Sequence, residues 1–364
     1  MHNFFRPLYI PPYVAAIRVG INGMGRIGRL FLRAALQDPG YDILFKVVAV
    51  NDIAGAKHVA HLLKYDSVHG RLGMSLEVGE NTIKIDTYNI RCYSVPNPVE
   101  IPWDEVGVDL VIEATGYFTK RRDAAAHLNH GVRHVIVSAP SPDADITIVP
   151  GVNDGALDPS RHAVISGASC TTNCLAPVVK VLMDSFGIVK GYMTTIHALT
   201  NDQRLLDLYH KDFRRARAAT QSIIPTSTGA AAALHLVIPE AKGKLHGVAM
   251  RVPVMDGSLT DLTALLPKPV TVREVNEVFQ EESMGRMKGI IEYNEDPIVS
   301  VDVIGNPHSC IFDATQTLVL NEKSDLVKVF GWYDNEWGYC NRLVDLVRLV
   351  KGVGRRRWET LPHT

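Results

Sequence analysis

The sequence predicts an α/β chain in two parts. The first is a mostly parallel sheet covered by helices on both faces, and the second is an α+β part on a mostly antiparallel sheet. Three observations predict this. At 364 residues the chain is about twice an ordinary domain. In the first half, short and continuously apolar strands alternate with helical segments, as in a sheet buried on both faces. In the second half the strands lengthen and alternate, as in sheets with one solvated face.

The elements follow in order. A strand is expected over 17–22 (IRVGIN), a helix over 25–36, and a buried strand over 45–50 that ends at Asn51-Asp52. Apolar strands closed by small or turn residues follow over 108–114, 134–137, 146–149 and 163–166. The less regular span 88–102 is expected to hold short antiparallel strands. A helix over 171–186 is stopped by Gly187, because glycine readily takes the conformation that ends a helix. Strands are then expected over 192–196, 245–254, 259–266, 299–303, 310–320 and 326–333. A helix over 272–282 lies among them, opened by Thr271 as N-cap. The last helix, 336–350, carries one apolar stripe at Cys340, Leu343, Val344, Val347 and Val350. The division expected is 17–169 completed by 336–350, and 170–335.

Two segments carry chemistry. Gly23-Met24-Gly25-Arg26-Ile27-Gly28 is GxGxxG between the first strand and the first helix. Gly23 permits the tight turn, Gly25 admits a pyrophosphate, and Gly28 allows close helix–strand packing. The helix start at Arg26 and Ile27 then offers N–H donors to phosphates. Asp52 ends the next strand, where an acid bonds ribose hydroxyls and repels a 2′-phosphate. The pair predicts a Rossmann-type site for NAD rather than NADP.

The second segment is Ser169-Cys170-Thr171-Thr172-Asn173-Cys174, where a strand gives way to a helix. The unpaired N–H groups of that helix start are expected to stabilise a thiolate at Cys170 and to lower its pKa. Cys170 therefore reads as a nucleophile.

Composition narrows the function classes. Net charge is −1 and 46% of residues are hydrophobic, so no nucleic-acid or membrane partner is implied and a sizeable core is. Five irregularly spaced cysteines form no disulfide framework, and a reducing cytoplasm is expected. Cys170 and Cys174 lack the CxxC spacing of a zinc site, so no metal is expected. Residues 1–16, with three prolines and one Arg, read as an arm rather than a targeting peptide. Arg355-Arg356-Arg357 reads as a solvated terminus.

From about residue 17 to 350 the chain resembles phosphorylating glyceraldehyde-3-phosphate dehydrogenases. The resemblance is carried by INGMGRIGR (21–29), KYDSVHGR (64–71), EATG (113–116), ASCTTNCLAP (168–177) and TIHALTNDQ (195–203). RRARAA (214–219), IIPTSTGAA (223–231), RVP (251–253) and WYDNEWGY (332–339) continue it in family order. It implies oxidation of glyceraldehyde 3-phosphate to 1,3-bisphosphoglycerate with NAD and inorganic phosphate, in a homotetramer. Cys170 is implied as nucleophile and His197 as its activating base. Thr200, Asp202 and Arg251 match the substrate-phosphate region. Ser169, Thr171, Arg217, Thr228 and Gly229 match the surroundings of the inorganic phosphate. Asn335 corresponds to the residue that holds the nicotinamide carboxamide, and Tyr339 packs nearby. Thr115 and Ser138 end strands that face the cofactor.

The chain departs from the family pattern in places. Pro96 replaces an Arg, Ala232-Ala233 replaces Lys-Ala, and MDGS (255–258) stands for PNVS, read as a packing change. Tyr209 stands where NAD-preferring bacterial members often have Pro. Erythrose-4-phosphate dehydrogenase is the nearest alternative, but it lacks the Ser-Thr-Gly signature present at 227–229. A catalytically idle binding protein on the same scaffold would be expected to have lost Cys170, His197 or an anion-site residue.

Overall fold

The computed structural model describes residues 15–354. Nearly all of the expected N-terminal arm and the Arg355–Arg357 tail lie outside the described residues.

Ile17–Asn22 is the central strand of a nine-stranded sheet. It pairs in parallel with Phe45–Asn51 on one side and Leu110–Glu113 on the other. Outward from Leu110–Glu113 come His134–Val137, Val164–Ser166 and Ile146–Thr147, all parallel. Outward from Phe45–Asn51 comes Tyr88–Tyr93, also parallel, and then Thr82–Ile85 and Leu76–Val78, which turn antiparallel. Of the span 88–102, expected to hold short antiparallel strands, only Tyr88–Tyr93 is a strand, antiparallel to Thr82–Ile85; beyond it the chain makes the 3₁₀ turn Pro98–Glu100, and the antiparallel edge lies earlier in sequence. Val19, Ile21, Leu110, Ile112 and Ile136 are buried, as the continuous apolar runs require.

Helix Arg26–Leu36 packs on this sheet beside the last helix, Trp337–Val350. The predicted stripe of the last helix is buried in the same core: Cys340, Leu343, Val344 and Val347 are all covered. A second helix, Gly55–Lys64, was not anticipated; it buries Ala56, Val59, Ala60 and Leu63.

The second sheet has eight strands and is mostly antiparallel. Lys190–His197 lies between Leu245–Arg251, which runs parallel to it, and Ser258–Val270, which runs antiparallel. Ser324–Tyr333 then joins Ser258–Val270 to Cys310–Asp313. Helix Cys170–Ser185 lies on this sheet. Cys174 Sγ reaches Thr260 Oγ1 at 3.4 Å and the Gly331 carbonyl at 3.6 Å. Only glycine fits at 331: a Cβ there would stand 2.6 Å from Cys310 Sγ. The helix expected over 272–282 is Val272–Met284, opened by a full capping box between Thr271 and Glu274.

Two expected strands are corrected. The segment 299–303 is a 3₁₀ turn, Ser300–Val303, with Val299 and Val301 exposed and only Val303 buried. The Asp302 carboxylate accepts the Val299 N–H at 2.8 Å, so local hydrogen bonding replaces strand pairing. The strand expected over 310–320 breaks after Asp313, whose side chain accepts from Thr315 N and Oγ1 and turns the chain. Among the described residues, no helix is long and apolar enough to cross a membrane.

Candidate active site

The nucleophile corner begins where Val164–Ser166 ends. Ala168 has φ of +56°, a conformation costly for a residue with a Cβ. It is held by Ser166 Oγ, which accepts its N–H at 3.1 Å, and by Tyr339 OH, which donates to its carbonyl at 3.0 Å. Ser169 then caps the helix by accepting Thr172 N–H at 3.0 Å, and Cys170 is the first helical residue.

His197 ends the strand Lys190–His197, with Nε2 3.5 Å from Cys170 Sγ. Its Nδ1 lies 2.6 Å from the Ala198 carbonyl. That oxygen can only accept, so the proton is assigned to Nδ1 and Nε2 is left as the acceptor facing the thiol. Arg251 Nη1, itself only a donor, makes no hydrogen bond to this protonated Nδ1 2.9 Å away; it donates to Ala198 O at 3.2 Å and Thr200 Oγ1 at 3.1 Å, and its charge opposes a second proton on the ring.

Burial pushes the Cys170 thiol up to about 11, while Arg251 and the hydroxyl and N–H of Thr171 pull it back. Burial, with the Arg251 charge, pushes His197 down to about 3. This corrects the expected lowering of the thiol, because desolvation outweighs the helix start in this pocket. A lone charge on either partner is disfavoured, so a proton leaving Sγ is best kept within the pair, on Nε2.

On the cofactor side, Gly23 has φ of +90°, and a Cβ there would meet Thr115 N at 2.7 Å. A Cβ on Gly25 would meet nothing within 4 Å, so the turn opens onto free space, as the approach of a pyrophosphate requires. Asp52 braces this turn by accepting Met24 N–H at 2.8 Å and Ala54 N–H at 2.9 Å. Asn335 Oδ1 accepts from Ser258 Oγ at 2.6 Å, which orients its amide.

One cavity of about 560 Å³ joins these parts. Gly25, Arg26, Ile27, Thr115, Ser138, Ser169, Cys170, His197, Thr200, Arg251, Asn335 and Tyr339 all line it. The family description "Glyceraldehyde 3-phosphate dehydrogenase, NAD binding domain" matches residues 17–121, and "Glyceraldehyde 3-phosphate dehydrogenase, C-terminal domain" matches 169–335. The chain is 56% identical over 334 residues to glyceraldehyde-3-phosphate dehydrogenase 2 of Streptomyces avermitilis, covering 92% of this chain and 98% of that protein. It is 55% identical over 339 residues to the enzyme of Geobacillus stearothermophilus, covering 93% and 99%. For that of Mycobacterium leprae the identity is 56% over 338 residues, covering 92% and 98%.

The chain belongs to the glyceraldehyde-3-phosphate dehydrogenase family.

Not every residue that the resemblance pointed to lines the cavity of this glyceraldehyde-3-phosphate dehydrogenase family member. Gly23 and Asp52 sit beneath it as supports of the glycine turn. Thr171 is buried with its hydroxyl 2.9 Å from Tyr333 OH, which also meets Thr195 Oγ1 at 2.9 Å. Asp202 bonds the Thr200 hydroxyl and pairs with Arg215 at 2.6 Å. Thr228 lines a separate recess and accepts Ala230 N–H at 3.2 Å, and Gly229 opens the one-turn helix Ala230–Ala233.

Arg217 is not brought to the cavity. It pairs with Asp207 at 3.1 Å, and both side chains are more than 60% exposed. Arg215 takes the interior place instead, donating to Thr226 Oγ1 at 3.0 Å and to the Ser227 carbonyl at 3.4 Å. Nothing local in Arg214-Arg215-Ala216-Arg217 distinguishes them; the fold of the loop decides. Ser67, Val68, Met255 and Glu336 also line the cavity and were not singled out. Three of the four lie in motifs that were recognised, so motif membership was the available signal.

Proposed function

We propose that the chain oxidises glyceraldehyde 3-phosphate with NAD and inorganic phosphate, giving 1,3-bisphosphoglycerate through a covalent intermediate on Cys170. The observation that carries this reading is a single cavity bordered by the Cys170–His197 pair, the glycine turn and Arg251. Residues 17–169 with 336–350 are read as the cofactor-binding part and 170–335 as the catalytic part.

Cys170 Sγ attacks the aldehyde carbon, forming the C–S bond, while His197 Nε2 accepts the thiol proton and passes it to the carbonyl oxygen. In the next step His197 Nε2 takes the proton of that hydroxyl as the thioester forms at Cys170. NAD, when bound, supplies the hydride acceptor. Gly25, Arg26 and Ile27 would hold its pyrophosphate, Asp52 its ribose and Asn335 its carboxamide. Inorganic phosphate then attacks the thioester carbon, and the C–S bond breaks to return the Cys170 thiolate with an acyl phosphate. Arg251 and Thr200 are assigned to the sugar phosphate, with Asp202 and Arg215 behind them. Ser169, Thr171, Thr228 and Gly229 are assigned to the attacking phosphate.

NADH formation should therefore rise saturably with inorganic phosphate, and arsenate should replace it. Thr228→Val should raise the KM for phosphate more than that for NAD, since an unpaired polar partner costs ~1–3 kcal/mol. A rate independent of phosphate, with free 3-phosphoglycerate as product, would instead assign the water-using chemistry of erythrose-4-phosphate dehydrogenase.

Cofactor choice rests on Asp52. Because this carboxylate also accepts two backbone N–H bonds, Asp52→Asn is the cleaner test: it keeps one acceptor oxygen and removes the charge. The ratio of kcat/KM for NAD over NADP should fall in the variant. A wild-type preference for NADP would show that Asp52 does not meet the ribose.

The assembly is read as a homotetramer in the cytoplasm. Leu205, Leu206, Leu208, Tyr209, Phe213 and Ile223 stand exposed on the loop 198–224, Phe213 to 87%. So much apolar surface on one loop calls for cover, and a second copy of the chain is assigned to it. Light scattering should give four times the chain mass; a fully active monomer at micromolar concentration would remove this reading.

A further inference from the structure

His69 takes no part in the chemistry above, yet its surroundings are those of a charged group. Its side chain is 6% exposed, and Nε2 stands 3.3 Å from both Asp256 Oδ2 and Glu336 Oε2. The three residues come from distant places: the short hairpin of Tyr65–Asp66 and Gly70–Arg71, the turn after Leu245–Arg251, and the start of the last helix. Asp334 joins them, and a ring nitrogen of His69 and one carboxylate oxygen each of Asp256 and Asp334 lie within 4.8 Å of one another.

Asp334 accepts N–H bonds from Gly305, Glu336 and Trp337, at 2.7, 2.9 and 2.6 Å. Burial and the nearby Asp256 push it up to about 8 against these donors. Asp256 Oδ1 accepts Gly257 N–H at 2.8 Å, while its buried Oδ2 makes no directed hydrogen bond and has His69 as its charge partner. The MDGS segment, read from sequence as a packing change, thus places a carboxylate against an imidazole.

Buried carboxylates so close together need a positive charge beside them. His69 supplies it. Although burial opposes the charged form, Asp256, Glu336 and Asp334 push His69 up to about 9. The other groups around the cluster are also accounted for. Glu336 Oε1 accepts from Arg26 Nε at 2.7 Å, and Arg26 pairs with Asp66 at 2.6 Å. The Trp337 ring lies 6.0 Å from the imidazole. The Cys340 thiol is pushed up by burial and by the same carboxylates.

We propose that His69 is a positioning residue for the cofactor: its positive charge holds Asp256 and Glu336 together, and through Glu336 holds Arg26 at the cavity, so that cofactor affinity depends on that charge. The proposal rests on the cofactor reading given above. Arg26, Met255, Asn335 and Glu336 all line the cavity. As that charge is lost, Asp256 and Glu336 repel each other and Asp334, itself ionised above about 8, and the two segments bearing Met255 and Asn335 are driven apart. The sign is fixed by the raised pKa: the contact is complete below about 6.5 and is lost as pH rises through about 9.

The test is the Kd for NAD, read by intrinsic fluorescence from about pH 6.5 to 9.5, with circular dichroism confirming the fold at each pH. From His69 alone, wild type should lose affinity up to about fourfold across this range, as the protonated fraction falls from nearly all to about a quarter. Asp256→Asn removes the partner that most favours the charged imidazole, so its loss should begin about one pH unit lower. His69→Gln should bind NAD more weakly at neutral pH, with only the smaller alkaline loss that Asp334, ionising at about 8, leaves behind. A structural role alone would shift every affinity by one factor at all pH values. Parallel profiles for wild type and Asp256→Asn, or a wild-type profile flat to about pH 9.5, overturn the proposal while NAD binding stands. Absence of NAD binding at any pH overturns the cofactor reading and this inference with it.

Discussion

Cys170→Ser should lose roughly three orders of magnitude or more in kcat, with the fold intact. A serine Oγ keeps the position at the helix start but is far harder to deprotonate than a thiol. In this pocket burial already pushes the thiol up to about 11, so a hydroxyl would meet a still larger penalty. The geometry that orients the side chain would survive, because Ser169 caps the helix and Tyr339 holds Ala168 whatever stands at 170. Iodoacetamide should label Cys170 ahead of the other four thiols, all of which are buried. Near-normal turnover in the serine variant, or full activity after Cys170 is labelled, would rule out the covalent route.

For His197→Asn a loss of ~10²–10⁴-fold in kcat is expected, the range for a positioned general base. Asparagine can still reach the Ala198 region by hydrogen bonding, but it presents no basic nitrogen to Sγ. Because burial and Arg251 push His197 down to about 3, the imidazole is neutral and able to accept a proton throughout the neutral range. Activity should accordingly show no His197-dependent fall between about pH 5 and 8 in wild type. The variant should also alkylate more slowly at Cys170 at neutral pH, since the thiol has lost its proton acceptor. Unchanged alkylation together with unchanged kcat would show that Nε2, 3.5 Å away, does not serve Cys170.

Much of this molecule was legible in the chain itself. The strand Ile17–Asn22 and the helix that follows the glycine turn were readable because apolar periodicity and turn chemistry are properties of adjacent residues. The same holds for the last helix, whose stripe states which face is buried. Reading failed where composition was apolar but the local hydrogen bonds were not those of a strand. At Ser300–Val303 an Asp carboxylate closed a turn on its own backbone instead.

The candidate site divides along the same line. Cys170 at a helix start, the glycine turn, Asp52 after its strand and His197 in its motif could each be placed from the sequence alone. The meeting of Cys170, His197 and the glycine turn in one cavity, and the ionisation of the thiol and imidazole there, could not, because desolvation depends on what folds over a group. The choice of Arg215 over Arg217 likewise came from a loop that brings Asp202 to one arginine and leaves the other paired with Asp207 in solvent. Asp256 is the clearest instance: in sequence a polar residue in a turn, in the fold a buried carboxylate facing His69 and Asp334. The sequence alone determined the kinds of element and the chemistry available to them, because propensity and periodicity act over a few residues. Tertiary structure alone decided which charges meet and which are stripped of water, because burial and Coulomb energy act through space between residues far apart in the chain.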